Sequence, residues 1–141
     1  MNHLDIDILE RYAAAVLAKD VGAFIALYSP DVRVFDAWGC WSYEGAAAWR
    51  EAARQWFASL ANESVAVSAQ EVRVTGGQDA ALLSAIVTYA SISPAGERLR
   101  AMQNRLSWGL ARHGDSWRIV HEHTSAPIGF DDMKGILTRS A

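Results

Sequence analysis

Through residues 4–19 the apolar positions recur at three- and four-residue spacing. Leu9, Tyr12, Ala13 and Val16 form one stripe, and Asp7, Glu10, Arg11 and Lys19 fall mostly off it. That pattern predicts an amphipathic helix. Asp20 can cap a short second helix holding Phe24, Ile25, Leu27 and Tyr28. Ser29-Pro30 stops it, because the residue before a proline avoids helical dihedrals. Residues 32–36 alternate like a short strand, and residues 37–45, rich in glycine and aromatics, read as a loop. The clearest helix spans residues 45–60. Trp49, Ala53, Trp56, Phe57 and Leu60 line one face, and Arg50, Glu51, Arg54, Gln55 and Ser59 line the other.

From residue 63 the period changes from helical to alternating. Strands are predicted over 65–75, 80–92, 98–112 and 117–124. Between them lie Gly76-Gly77-Gln78-Asp79, Ser93-Pro94-Ala95-Gly96 and His113-Gly114-Asp115-Ser116, each with turn chemistry. Ala126-Pro127 closes the folded body, which leaves 128–141 as a tail, either frayed or folded over something. Helices segregated from a run of strands indicate an α+β fold: a four-stranded antiparallel meander with helices on its concave side, open at one end like a cone. The chain has 141 residues, which suits a single domain over 1–127.

Composition narrows the function classes. Hydrophobic residues make up 51% and charged residues 21%, so the chain can build a core and is not a disordered segment. The net charge is −3, with no basic surplus to draw nucleic acid or an anionic membrane. The single cysteine, Cys40, has no partner for a disulfide or a zinc site and no activating base beside it. The acidic start, Asp5 and Asp7 with no basic residue ahead of the apolar stretch, speaks against a signal peptide. No run of about 18 apolar residues exists for a membrane span. The expectation is a cytoplasmic protein that needs neither metal nor cofactor. Six tryptophans, four tyrosines and four phenylalanines are many for this size. They line either a thick core or a pocket for a small apolar molecule.

Several residues stand out for chemistry. Asp36, beside Phe35, Trp38 and Trp41, would be partly desolvated and therefore harder to ionise, which suits a general base or acid; most aspartates, however, simply face water. Tyr12 lies inside the apolar stripe, as a core phenol bonded to a carbonyl or as a donor to a ligand. On the strand 98–112, Met102, Asn104, Leu106, Trp108 and Leu110 share one face, where the Asn104 amide must be satisfied by Tyr12, a water, a loop carbonyl or a pocket ligand. On the last strand His121 and His123 alternate with Val120, Glu122 and Thr124. The two histidines lack an evident third ligand for a metal. Glu122 is either a second acid or base in the cone or a partner for Arg98, Arg100 or Arg105. Trp38, Trp41, Tyr43, Trp49, Trp56, Tyr89 and Trp108 could wall a cavity, although Trp49 and Trp56 at helical spacing also suit a core.

Tyr12, Ala26-Leu27-Tyr28-Ser29-Pro30-Asp31, Val34-Phe35-Asp36, the helix start at Gly45 and the closing run Trp117 to Pro127 together resemble the SnoaL-like and ketosteroid-isomerase-like branch of the nuclear-transport-factor-2 (NTF2-like) superfamily. The closing run also looks like the association domain of calcium/calmodulin-dependent kinase, which shares that fold. The resemblance covers residues 4 to about 127 and implies the NTF2-like cone. It places Asp36 where ketosteroid isomerases keep a proton-shuttling carboxylate, and Tyr12 on the helix that carries their oxyanion-stabilising tyrosine. One departure stands out: the protonated aspartate of that family would lie near Ser107-Trp108-Gly109, where no carboxylate exists. The association-domain likeness implies that Glu122 and Thr124 look into the pocket.

The expectation that follows is a cofactor-independent isomerase, cyclase or lyase acting on a small apolar carbonyl compound. Asp36 would move the proton, Tyr12 would meet the oxyanion, and Glu122 or Asn104 would assist, inside a pocket of Trp38, Trp41, Trp56, Tyr89, Met102, Trp108 and Thr124. The alternatives are a non-catalytic small-molecule-binding or oligomerisation module of the same fold, and an epoxide hydrolase working through Asp36 and Glu122. A homodimer is expected through the outer sheet face, where Trp117, Ile119, His121 and His123 would leave apolar area.

Overall fold

The computed structural model describes residues 7–139. Helix α1 runs Asp7–Ala18, α2 Val21–Ile25 and α3 Ala46–Ser59; the strands are β1 Tyr28–Phe35, β2 Tyr43–Glu44, β3 Ser64–Gly76, β4 Ala80–Ile92, β5 Arg98–His113 and β6 Ser116–Ser125. The four long strands sit within a few residues of their predicted spans. The predicted start of the first helix, residues 4–6, lies outside the described residues.

The departures are informative. Helix α2 is only five residues long, held by the Asp20 side chain accepting from the Ala23 N–H. It stops before Leu27 and Tyr28, which belonged to the predicted helix, and Tyr28 opens β1 instead. The restriction that Pro30 imposes on Ser29 is already extended backbone, and the Ile119 N–H donates to the Leu27 carbonyl, tying the segment to β6. Pro30 is tolerated within β1 because the β1–β6 register slips between Tyr28 and Arg33, so no ladder bond is lost there. The predicted loop 37–45 contains the two-residue strand β2, antiparallel to β1.

All strands join one curved, open sheet in the order β2-β1-β6-β5-β4-β3. The meander is antiparallel as expected, but β1 adds to β6 in parallel. Sequence periodicity carries no signal for that pairing. Helix α1 packs toward β3, α2 against α3, and α3 against β1. Ile8, Val16, Phe24, Val32, Val34, Leu83, Val87, Leu106 and Trp108 fill the space between the helices and the sheet.

The bulge in β6 sets which side chains enter that space. Gly109 pairs with His121 and Leu110 with Ile119, so Val120 is the extra residue. A bulge reverses the inside–outside alternation beyond it. Trp117 and Ile119 therefore point inward with Glu122 and Thr124, and Trp117 is only 6% exposed. This corrects the expectation that Trp117 and Ile119 sit on the outer face. His121 and His123 do remain on the other side from Glu122, edge-on to the Phe35 ring. A side chain at position 109 would meet Val120 and His121.

The tail is folded, not frayed. The Leu137 carbonyl accepts from Gln103 N–H, continuing the ladder where β6 ends. Arg139 donates to Glu71 and to the Gln103 side chain. The segment is thus tied alongside β5, and the Arg139 side chain reaches β3. Among the described residues no helix is long and apolar enough to cross a membrane.

Candidate active site

The inner face of the sheet and helix α3 enclose a cavity of about 900 Å³. Its space comes from small residues on α3: Ala48, Ala52 and Ala53 line it, where larger side chains would close it. Gly45 starts that helix with φ 91°, a left-handed conformation that suits glycine, and its N–H donates to the Val32 carbonyl. That junction aims Trp49 and Trp56 at the sheet.

Glu122 lies at the floor. Strand β6 places it opposite Val34 on one side and Trp108 on the other, and it is 1% exposed. Its Oε1 accepts from the Tyr28 hydroxyl at 2.5 Å and from the Trp108 indole N–H at 2.9 Å. Burial raises its pKa to about 7, against the opposing pull of these two donors. A carboxyl in that range exchanges a proton readily near neutral pH.

Asp36 lies nearer the mouth, at the end of β1. Its Oδ1 accepts from the Thr124 hydroxyl at 3.1 Å and its Oδ2 from the Trp38 N–H at 3.3 Å. The same Thr124 oxygen accepts from the Ala37 N–H, which fixes the hydroxyl's direction. Desolvation raises the Asp36 pKa, while the hydrogen bonds from Thr124, Trp38 and Ala37 oppose the rise. Among the described residues neither carboxyl has a cationic partner within salt-bridge distance. Both face the same cavity.

Across from them the Tyr12 and Tyr89 hydroxyls share a hydrogen bond of 3.0 Å. Burial pushes both phenols upward, so they remain protonated donors. Two hydroxyl protons serve one mutual bond, which leaves one proton for an oxygen in the cavity. The Asn104 Oδ1 is buried with no partner, as is the Trp49 Nε1.

The SnoaL-like domain model matches residues 6–129 of this sequence. The chain belongs to the SnoaL-like family. Solved structures agree on the fold. An NTF2-like protein of unknown function from Pseudomonas putida is 23% identical, with 96% of this chain and 92% of that one covered and a TM-score of 0.81. An NTF2-like protein with a cystatin-like fold from Novosphingobium aromaticivorans is 18% identical, covers 90% of this chain and 82% of its own, and has a TM-score of 0.72. No curated protein sequence matches the chain significantly.

Within this SnoaL-like cavity the predicted residues divide. Tyr12, Asp36, Trp38, Trp56, Tyr89, Met102, Asn104 and Glu122 all line it. Three do not. Trp41 is 96% exposed on the 37–45 loop, whose Trp38, Gly39 and Tyr43 line the cavity in its place. Trp108 is wholly buried beneath the floor and reaches the site through Glu122 and Tyr12. Thr124 is spent on Asp36 and Ala37. Glu122 does not pair with the arginines: Arg100 bonds Glu63 at 2.8 Å and Arg105 bonds Ser125 at 3.1 Å. Tyr12 reaches Tyr89 and not Asn104. Among the described residues no three potential ligands gather for a metal. Sequence reasoning does not find Tyr28, the short-bond partner of Glu122, because the apolar run 24–28 predicts a helix there; Pro30 two residues on is the available signal.

Proposed function

We propose that this chain is a cofactor-independent isomerase- or cyclase-type enzyme that moves a proton on a small carbonyl compound held in the apolar cavity. The observation that carries the reading is the pair of carboxyls that face one cavity with no cationic partner among the described residues, each desolvated to a different degree. Two carboxyls pushed apart in acidity divide the labour of acid and base. Asp36, less buried and held by donors on both oxygens, ionises first and takes a proton α to the carbonyl. Tyr12 and Tyr89 together offer one hydroxyl proton to the developing oxyanion. Glu122, still protonated to a large extent below pH 7, returns a proton at the other end of the system.

The test is isotope exchange at the α carbon of 1-tetralone in D₂O. Asp36→Asn should retain binding and lose exchange by about 10²–10⁴-fold, the usual worth of a positioned base. Equal exchange in both proteins would remove Asp36 from the chemistry. A second reading, a binding module without turnover, draws on a specific feature. The Ser107-Trp108-Gly109 stretch supplies no second acid beside Tyr12, and its tryptophan is core. Binding without exchange in the wild-type protein would favour it.

A further inference from the structure

The Tyr28 hydroxyl is a buried polar group that the proposed chemistry leaves unused. The ring is 3% exposed and stands outside the cavity lining, so it does not touch a guest. Its oxygen lies 2.5 Å from Glu122 Oε1, and the Trp108 Nε1 lies 2.9 Å from the same atom. An indole N–H can only donate, so Oε1 accepts from Trp108 in either charge state of Glu122. The Tyr28 proton has the same destination. Its other polar neighbour, the Trp49 Nε1, is also a donor and offers no acceptor. A proton placed on Oε1 would therefore point at groups that all donate. The open position is Oε2, which takes no hydrogen bond from the described residues and is not one of the sealed, unpartnered atoms. Glu122 lines the cavity floor, and Oε2 is the oxygen it presents there.

We propose that Tyr28 is a positioning residue: with Trp108 it holds Oε1 as the carbonyl oxygen of the acid and turns the Glu122 proton onto Oε2, toward the guest. This deepens the proposed function and rests on its reading of Glu122 as the acid. When Oε2 gives its proton to the guest, the O–H electron pair stays on the carboxylate. The share of charge that reaches Oε1 then meets two donors already in place. The same two groups thus aim the proton and ease its departure. Among the described residues, the other titratable groups facing Glu122 are the neutral phenols of Tyr12 on α1 and Tyr89 on β4, and Asp36 after β1. The Asp36 charge adds to the cost of ionising Glu122. A donor on Oε1 favours the ionised form, so its removal makes Glu122 a weaker acid as well as a less directed one.

The experiment compares wild type with Tyr28→Phe, which keeps the ring packed against Phe24 and Trp49 and removes only the hydroxyl. The first readout is the infrared carbonyl stretch of protonated Glu122 at pH 5, assigned by its loss in Glu122→Gln. A carbonyl at Oε1 with two donors should absorb below an unbonded carboxylic acid in wild type and move to higher frequency in Tyr28→Phe. A carbonyl at Oε2 would absorb at the unbonded position in both. The second readout is the carbon-13 titration of Glu122, whose midpoint should rise by about one pH unit in the variant. The third is α-proton exchange of 1-tetralone. At pH 5, where Glu122 is protonated in both proteins, kcat should fall by about tenfold with KM unchanged, and the alkaline limb should move up with the midpoint. A role in packing alone would lower stability and move none of these. If Tyr28→Phe does not fold, the wild-type stretch decides by its position. A stretch at the unbonded value, an unmoved midpoint or unchanged exchange in the variant would overturn the inference. Exchange absent from wild type, with the infrared shift present, would remove the enzymatic reading and leave the placement of the proton standing.

Discussion

Glu122 and Asp36 are the same kind of group in two parts of one cavity, and their surroundings set them apart. Glu122 sits at the floor, sealed between Tyr28 and Trp108, with both donors on a single oxygen. Asp36 sits near the mouth under the half-exposed Trp38, with donors on both oxygens. The floor is built by strand pairing and aromatic packing; the mouth is built by a loop and one threonine. Desolvation therefore dominates at the floor, while hydrogen bonding moderates it at the mouth. The chemistry proposed here needs both settings at once.

The contrast can be broken most forcefully at the floor. Trp108 packs edge-on to Tyr12 and holds Glu122, so Trp108→Ala should cost about 3–5 kcal/mol by chemical denaturation, as large aromatic truncations in cores do. A loss below about 1 kcal/mol would show that the floor is not the packed core described here.

Next in size is the pH dependence of stability. Glu122 holds its proton in the folded chain up to about pH 7, whereas unfolded it ionises near 4.5. The folded state therefore binds the extra proton between these values. The stability this confers is fully present below pH 4.5 and is lost as pH rises through 7, a fall of about 3 kcal/mol at about 1.4 kcal/mol per unit. Glu122→Gln should remove most of that decline when urea midpoints are compared at pH 5 and pH 8. The same slope in both proteins would contradict a buried, hard-to-ionise Glu122. Exchange catalysis should fall on the alkaline side of pH 7, because the acid is lost there.

Smaller effects belong to the mouth. Thr124→Val keeps the shape and removes a donor that lowers the Asp36 pKa, so the acid limb of the pH–rate profile should move to higher pH, with a stability loss of about 1 kcal/mol. A profile that does not move would show that Thr124 does not position the carboxylate. Trp41→Ser should change stability by less than about 0.5 kcal/mol and leave tetralone affinity unchanged, since the ring is almost fully exposed and outside the cavity.

The same contrast separates what could be read from residues and what could not. The alternation along β5 already places Met102, Asn104, Leu106 and Trp108 on one face, and burial follows that pattern. Helix α3 was legible because its stripe is long and regular. The inward turn of Trp117 and Ile119 was not, because a single extra residue at Val120 reverses the phase and leaves no mark in composition. Tyr28 was misplaced because five apolar residues suit either a short helix or a strand, and the tertiary bond to Glu122 decided between them. The parallel docking of β1 on β6 joins Asp36 to Thr124 across 88 positions of chain, a contact local patterns do not encode.

The central claim is that two carboxyls share the cavity with divided acidity. Carbon-13 NMR titration of the side-chain carboxyls, assigned with Asp36→Asn and Glu122→Gln, tests it most directly. The account predicts that Glu122 titrates near pH 7 and that Asp36 titrates above its ordinary 3.8 but before Glu122. Both groups titrating at ordinary carboxylate values would contradict it.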